Sequence, residues 1–260
     1  MRSSPAAPVA ADRWLRRFHT APHQATVRLV CLPHAGGSAS YYFPFSRALS
    51  GEIDVLAVQY PGRQERHQEP SVTDIGRLAD HVVAALTAHA DEADDRPLAL
   101  FGHSMGALVA YETASRLQAL GTPVRALFVS GRRAASCPSD REYLHSRGDD
   151  ALVAELTAME GTDHELLADR DVLRLILPAV RADFQAVETY RHQPRPRLTC
   201  PIVTLTGDSD PRVNPAQAAA WADHTTGPHD LRVFAGGHFY LSAPLQQSAV
   251  IELLRSRLVH

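Results

Sequence analysis

The chain has few cysteines, little net charge and no long hydrophobic run. Its three cysteines, Cys31, Cys137 and Cys200, are odd in number and widely spaced, which argues against a disulfide framework and predicts a reducing compartment, the cytoplasm. A net charge of −3 provides no general basic field for nucleic acid or an anionic membrane surface. No run of about eighteen apolar residues is present to span a bilayer, and the N-terminus lacks the apolar segment of a secretory signal.

The sequence patterns of a metal site are missing as well. There is no His-Glu-x-x-His motif and no paired cluster of cysteines or histidines, which are common ligand patterns of protein-bound metals. We therefore expect no metal and no cofactor held by the chain itself.

The chain does contain enough apolar material for one sizeable core. With 260 residues and 45% hydrophobic content, a single domain over residues 25–260 is expected, and a monomer is the simplest state. Residues 1–24 are rich in proline and alanine and are expected to be loosely ordered, although Trp14, Leu15 and Phe18 could pack as one short helical turn.

Residues 98–111 combine an apolar strand, the sequence Gly-His-Ser-Met-Gly and the start of a helix. This order resembles the nucleophile elbow, G-x-S-x-G, of the α/β-hydrolases and makes Ser104 the candidate nucleophile. Gly102 and Gly106 would leave room for the tight turn, and the Met105 N–H at the helix start would be one oxyanion donor. An ordinary glycine turn is the alternative; the flanking strand and helix favour the elbow.

A second glycine-rich loop, residues 33–38, follows an early apolar strand. A His-x-Gly-Gly loop at this position supplies the other oxyanion N–H in α/β-hydrolases, which assigns that role to Ala35 and a buttressing role to His34. The alternative is a plain strand-to-helix turn with Ser38 or Ser40 as the N-cap.

Strands and helices alternate along much of the chain. This alternation predicts an α/β fold with a mostly parallel central sheet, right-handed crossovers and flanking helices. The strands are predicted at 27–32, 53–59, 98–101, 124–130, 201–206 and 231–234, with helices at 40–49 and 74–90.

The alternation stops between residues 137 and 195, where only helical periodicity is found. Such an insertion is either additional core or a lid over the site, and its place on the carboxyl side of the strands favours a lid. Pro178 is expected to break or kink the second helical run, or to open a new helix at its first position.

Two carboxylates compete for the acid position after the strand at 201–206. The spacing G-x-x-D-x-x-V favours Asp210 over Asp208, which suits a turn or N-cap residue. Among 14 histidines, His238 is singled out by a glycine-supported loop after the last strand and by the chain order Ser, Asp, His. In this interpretation His238 activates Ser104, and Asp210 holds the imidazole in the required tautomer.

The motifs described so far indicate a serine acyl hydrolase. Five segments together also resemble one family, the type II (editing) thioesterases of polyketide synthases and non-ribosomal peptide synthetases. The resemblance covers residues 27–255, and the lid sequence from Leu177 to Phe184, with Glu188 and Tyr190, is similar to the family's pattern. The segments are Leu-Pro-His-Ala-Gly-Gly-Ser-Ala at 32–39, Gln-Tyr-Pro-Gly-Arg at 59–63, Phe-Gly-His-Ser-Met-Gly-Ala at 101–107, Gly-Asp-Ser-Asp at 207–210 and Gly-Gly-His-Phe-Tyr-Leu at 236–241.

The resemblance implies hydrolysis of acyl groups from the phosphopantetheine thioester of an acyl or peptidyl carrier protein. The phosphopantetheine then belongs to the substrate. An exposed arginine pair, Arg63 with Arg66 or Arg132 with Arg133, would be a docking rim for an acidic carrier, or only solvated surface.

Three other functions stay open at the level of sequence. A general carboxylesterase or lipase would share the triad and differ in the acyl pocket. A terminal cyclising thioesterase would sit at the end of a synthase, whereas this chain starts at Met1 and has no carrier-domain sequence. A non-catalytic module that binds a carrier protein would not need all three triad residue types.

Overall fold

The structure is a computed structural model that describes residues 11–20, 22–89, 96–138, 143–159 and 169–259. This part of the chain contains seven strands, β1 (Leu15–Arg16), β2 (Val27–Leu32), β3 (Ile53–Val58), β4 (Leu98–His103), β5 (Ala126–Ser130), β6 (Ile202–Gly207) and β7 (His229–Phe234). They form one sheet with the order β1-β3-β2-β4-β5-β6-β7.

The sheet is parallel except at one edge, where β1 runs antiparallel to β3. The residues of β2, β3, β5 and β6 are all buried, as expected for parallel strands covered by helices on both faces. The predicted α/β class with a mostly parallel sheet is therefore confirmed.

Helices cover both faces of the sheet. The helices are α1 (Ala11–Trp14), α2 (Phe43–Leu49), α3 (Ile75–His89), α4 (Met105–Ala119), α5 (Asp149–Ala158), α6 (Arg170–Thr189), α7 (Pro215–Ala219) and α8 (Pro244–Leu258). Ile75 of α3 and Leu108 of α4 belong to the apolar core on one face, and Phe45 of α2 and Leu254 of α8 belong to the core on the other. None of the described helices is both long and apolar enough to cross a membrane.

The N-terminal segment contacts the core and the edge of the sheet. Trp14 and Leu15 are buried, and Leu15 pairs with Val58 at the sheet edge. The Trp14 ring stacks on His81 with 4.9 Å between ring centroids. Trp14 and Leu15 therefore pack on the core as expected, whereas Leu15 lies in a strand and not in a helical turn, because it pairs with β3; residues 1–10 and 21 lie outside the described residues.

The described part of the insertion between β5 and β6 contains the helices α5 and α6. Helices α5 and α6 pack around a small apolar cluster of their own, built from Leu144, Leu152, Leu156, Leu177 and Val180. Helix α6 runs through Pro178, so the proline neither ends it nor starts a new one. Residues 139–142 and 160–168 of the predicted lid lie outside the described residues.

Candidate active site

Ser104 occupies a strained turn between β4 and α4. Its backbone angles are φ 54° and ψ −114°, a conformation that a residue with a side chain rarely adopts. The Ser104 N–H donates to the Ser130 carbonyl at 2.8 Å, which ties the turn to the next strand. A Cβ on Gly102 would lie 2.1 Å from the Gly106 carbonyl oxygen, so the turn closes only with glycine at position 102.

The three side chains predicted to form a triad meet at the carboxyl edge of the sheet. The His238 Nε2 atom lies 2.9 Å from Ser104 Oγ, and His238 Nδ1 lies 2.9 Å from Asp210 Oδ2. The side chains of His238 and Asp210 are 4% and 0% exposed. This line of hydrogen bonds has the order needed for an imidazole to take a proton from a hydroxyl while a carboxylate orients it.

The competing carboxylate, Asp208, has a different environment. It is exposed, and its Oδ1 accepts the Gly236 N–H at 3.0 Å. Hydrogen bonds from Gly236 and from the Ser209 hydroxyl lower the pKa of Asp208. Asp208 therefore fixes the loop that carries His238, and only Asp210 contacts the imidazole.

The two candidate oxyanion donors lie on segments that touch. The Met105 N–H belongs to the first turn of α4, where amide groups have no partner within the helix. Ala35 follows β2, and Ala35, Ser104 and His238 line one cavity. Their roles as donors remain predictions.

Two further histidines are buried beside the site. Burial lowers the pKa of His34 to about 3, with a smaller effect of His238 and Arg63, and burial lowers the pKa of His103 well below its usual range. His103 Nδ1 lies 2.9 Å from Ser130 Oγ. Both rings are therefore neutral at neutral pH. The His34 ring packs against Gly37, where a Cβ would come within 2.8 Å of it, which fits the expected buttress of the loop.

A small cavity surrounds Ser104, and a larger apolar chamber adjoins it. The cavity at Ser104 has a volume of about 80 Å³, and the chamber has about 550 Å³. His34, Ala35 and Phe239 line both. The other walls of the chamber are mainly residues of α5 and α6, namely Leu156, Val172, Leu175, Ile176, Ala179 and Val180. Within the described residues, no group of three or more His, Cys, Asp or Glu side chains is arranged to hold a metal ion.

The expected docking rim of exposed arginines is wrong. Arg63, Arg66 and Arg133 are only 8%, 5% and 6% exposed. Arg63 pairs with Asp183 of α6 at 2.7 Å, and Arg66 pairs with Glu69 at 2.6 Å. Burial alone lowers the pKa of Arg63, but the Asp183 carboxylate outweighs this effect, so the pKa of Arg63 is raised. Arg63 and Asp183 belong to separate sequence motifs, and no local signal in either motif shows that the two side chains meet.

The sequence and the fold match known thioesterases. The thioesterase domain family model matches residues 27–258. Thioesterase PikA5 of Streptomyces venezuelae is 52% identical over 90% of this chain and 82% of its own length. The probable cadicidin biosynthesis thioesterase of Streptomyces griseus is 49% identical over 90% of this chain, which spans 63% of that relative.

A solved structure agrees with this assignment. The type II thioesterase BorB from the borrelidin biosynthetic cluster superposes with a TM-score of 0.87 at 46% identity, covering 95% of this chain and 98% of BorB. Since both the family model and this fold extend over most of the chain, the protein belongs to the thioesterase family with an α/β-hydrolase fold, and it is a hydrolase that acts on thioesters.

Proposed function

We propose that this protein is a stand-alone type II thioesterase that removes acyl groups from the phosphopantetheine arm of acyl or peptidyl carrier proteins through a Ser104-His238-Asp210 triad. The observation that carries the proposal is the line of hydrogen bonds from Asp210 through His238 to Ser104. The similarity to BorB, a type II thioesterase of a biosynthetic cluster, supports the substrate class.

The first half of the reaction transfers the acyl group to the serine. Ser104 Oγ attacks the thioester carbonyl carbon while its proton moves to His238 Nε2, which lies 2.9 Å away. The carbonyl oxygen becomes an oxyanion that accepts hydrogen bonds from the Met105 and Ala35 N–H groups. The C–S bond then breaks, and His238 returns the proton to the sulfur, so that the arm leaves as a free thiol.

The second half releases the acyl group to water. His238 takes a proton from the water as its oxygen attacks the acyl-enzyme carbonyl carbon, and the same two N–H groups stabilise the oxyanion. Collapse breaks the bond to Ser104 Oγ, which regains its proton from His238, and a carboxylic acid leaves. Asp210 accepts a hydrogen bond from His238 Nδ1 throughout and stabilises the imidazolium.

The apolar chamber beside Ala35 suits the acyl chain of such a substrate. Its volume of about 550 Å³ falls within the usual range for ligand pockets, and apolar side chains of α5 and α6 form much of its wall. The phosphopantetheine belongs to the carrier protein, which stays outside, and the chain itself needs no cofactor. The free cysteines Cys31, Cys137 and Cys200 suit the cytoplasm, where such carriers would be met.

The test is incubation with a panel of acyl-loaded carrier proteins, followed by intact-protein mass of the carrier. We expect loss of the acyl mass with wild type and with Ser256→Ala, whose hydroxyl lies on the exposed face of α8, and no loss with Ser104→Ala. Turnover that persists in Ser104→Ala would remove this serine from the mechanism. Faster hydrolysis of simple oxyesters than of every acyl-carrier would favour a general carboxylesterase. Carrier binding without turnover would favour a binding module.

A further inference from the structure

A buried ion pair connects the lid helix α6 to the loop that carries Ala35. Arg63 follows β3 and Asp183 lies on α6, and they are 8% and 1% exposed. The pair is bidentate: Arg63 Nη1 donates to Asp183 Oδ2 at 2.7 Å, and Nη2 donates to Oδ1 at 2.9 Å. Two parallel hydrogen bonds fix the relative orientation of the two groups as well as their distance.

Both partners of the pair also bind the backbone immediately after Ala35. Asp183 Oδ2 accepts the Gly36 N–H at 2.7 Å, and Arg63 Nη1 donates to the Gly37 carbonyl at 3.0 Å. Gly36 has φ +75°, and a Cβ there would lie 3.0 Å from Val180 of the same helix. The loop backbone is therefore held on α6 by hydrogen bonds and by a close contact.

We propose that Asp183 is a positioning residue for the thioesterase reaction, which aims the Ala35 N–H at the oxyanion by holding Gly36 and Arg63. This proposal rests on the proposed triad mechanism. In this proposal the oxyanion site depends on the lid, because the loop that carries Ala35 keeps its backbone conformation only while α6 is docked on it.

Buried ion pairs contribute little net stability relative to apolar groups of the same size, and their best-attested use is to fix one geometry. Here the fixed element is one residue away from the candidate donor. A catalytic hydrogen bond displaced by about 1 Å can cost on the order of a hundredfold in rate. Asp183 thus acts on the transition state through the loop and does not touch the substrate.

The test compares Asp183→Asn with Asp54→Asn, a matched replacement of another buried carboxylate. Asp54 is 1% exposed and pairs with Arg17 at 2.9 Å, at the amino end of β3 and away from the triad. In Asp183→Asn, one of the two carboxylate acceptors becomes an amide NH₂. On a small acyl thioester, we expect kcat to fall about 10- to 100-fold in Asp183→Asn, with KM within about twofold of wild type, and Asp54→Asn to keep the wild-type kcat.

A second readout separates positioning from folding. An alkyl trifluoromethyl ketone accepts Ser104 Oγ at its carbonyl carbon, the serine proton goes to His238, and the carbonyl oxygen becomes an oxyanion. The Ki of this ketone should rise in Asp183→Asn by the same factor by which kcat/KM falls. Both values are measured well below the unfolding midpoints of wild type and of the variant. An unchanged Ki, or a kcat within about twofold of wild type, would overturn the proposal.

Arg63→Lys provides the same measurement if Asp183→Asn does not fold. It keeps the charge beside Asp183 but cannot form both parallel hydrogen bonds together with the one to Gly37. We expect the same linked loss of kcat/KM and ketone affinity, and wild-type values would again refute the role. Because a small thioester needs no carrier, failure of wild type on carrier substrates alone would overturn the proposed substrate and leave this test intact.

Discussion

Gly106 lies against Leu32 so closely that a Cβ at position 106 would be 2.0 Å from the Leu32 carbonyl oxygen. This contact joins the first turn of α4 to the end of β2. These two segments carry the candidate oxyanion donors, Met105 and Ala35. The distance between the donors therefore depends on the absence of a side chain at position 106.

Replacing Gly106 by alanine should separate the two segments. We expect the Gly106→Ala variant to lose about 1–3 kcal/mol or more of unfolding free energy, because backbone atoms must move to admit the methyl group. The kcat should fall by about a hundredfold or more, since one oxyanion donor is worth that much. Denaturant unfolding and thioester hydrolysis measure the two effects. Gly51→Ala is the control, because no atom beyond its two chain neighbours lies within 4 Å of its Cβ position; equal behaviour of the two variants would contradict the prediction.

The two carboxylates of the loop after β6 should differ strongly in their effect on rate. Asp210→Asn keeps the size of the side chain but reverses the tautomer preference of His238, so kcat should fall by about four orders of magnitude. Asp208→Asn keeps an oxygen to accept the Gly236 N–H and should lower kcat by less than about threefold. Steady-state kinetics on one acyl thioester compare them. A larger loss of kcat in Asp208→Asn than in Asp210→Asn would mean that Asp208, and not Asp210, orients His238.

Much of the fold could be predicted because the relevant signals are local. Runs such as Val27–Leu32 and Ile53–Val58 are short, mainly apolar and bounded by polar residues or proline, and they form strands at nearly the predicted bounds. The Gly-His-Ser-Met-Gly motif is also a local signal, because its two glycines permit the tight turn at Ser104. The order Ser, Asp, His then identified which of many histidines would reach Ser104.

Nonlocal pairings could not be found in this way. A two-residue strand such as Leu15–Arg16 has no periodicity, and only its partner β3 makes it a strand. Arg63 and Asp183 are 120 positions apart in the chain, and nothing near either residue distinguishes a buried arginine from a solvated one. Whether α6 continues through Pro178 likewise depends on the buried residues that pack around it, which the local sequence does not reveal.

Buried histidines should make the fold sensitive to mild acid. Burial lowers the pKa of His34 to about 3 and that of His224 to about 4, and it also lowers the pKa of His103 well below its usual value. In the unfolded chain these groups have pKa values of about 6.5. Between about pH 4 and 6.5 the unfolded state binds more protons, so stability is complete above this window and is lost as the pH falls through it.

The slope of stability against pH measures this effect. Each such histidine contributes about 1.4 kcal/mol per pH unit near pH 5, and chemical unfolding at several pH values gives the sum. Replacing His224 by glutamine should reduce the slope by about one proton's contribution. A wild-type unfolding free energy that is flat between pH 5 and 6.5 would show that these imidazoles do not remain neutral in the folded state.

The chamber lined by α6 should set the acyl chain length that the enzyme accepts. Ile176 is partly exposed on the chamber wall, so Ile176→Trp narrows the chamber with little disturbance of the core. Each methylene that no longer enters the chamber forfeits about 0.8 kcal/mol, or about fourfold in kcat/KM. We expect hydrolysis of acetyl thioesters to change less than about twofold and that of long-chain thioesters to fall progressively with chain length.

The control for this chain-length effect is Leu120→Trp, which adds the same indole at a residue that is 65% exposed and lies beyond the end of α4. It should leave the whole chain-length profile unchanged, because it contacts neither cavity. Kinetics on a series of straight-chain acyl thioesters provide the comparison. If Ile176→Trp lowers kcat/KM equally for short and long chains, the acyl group does not enter this chamber.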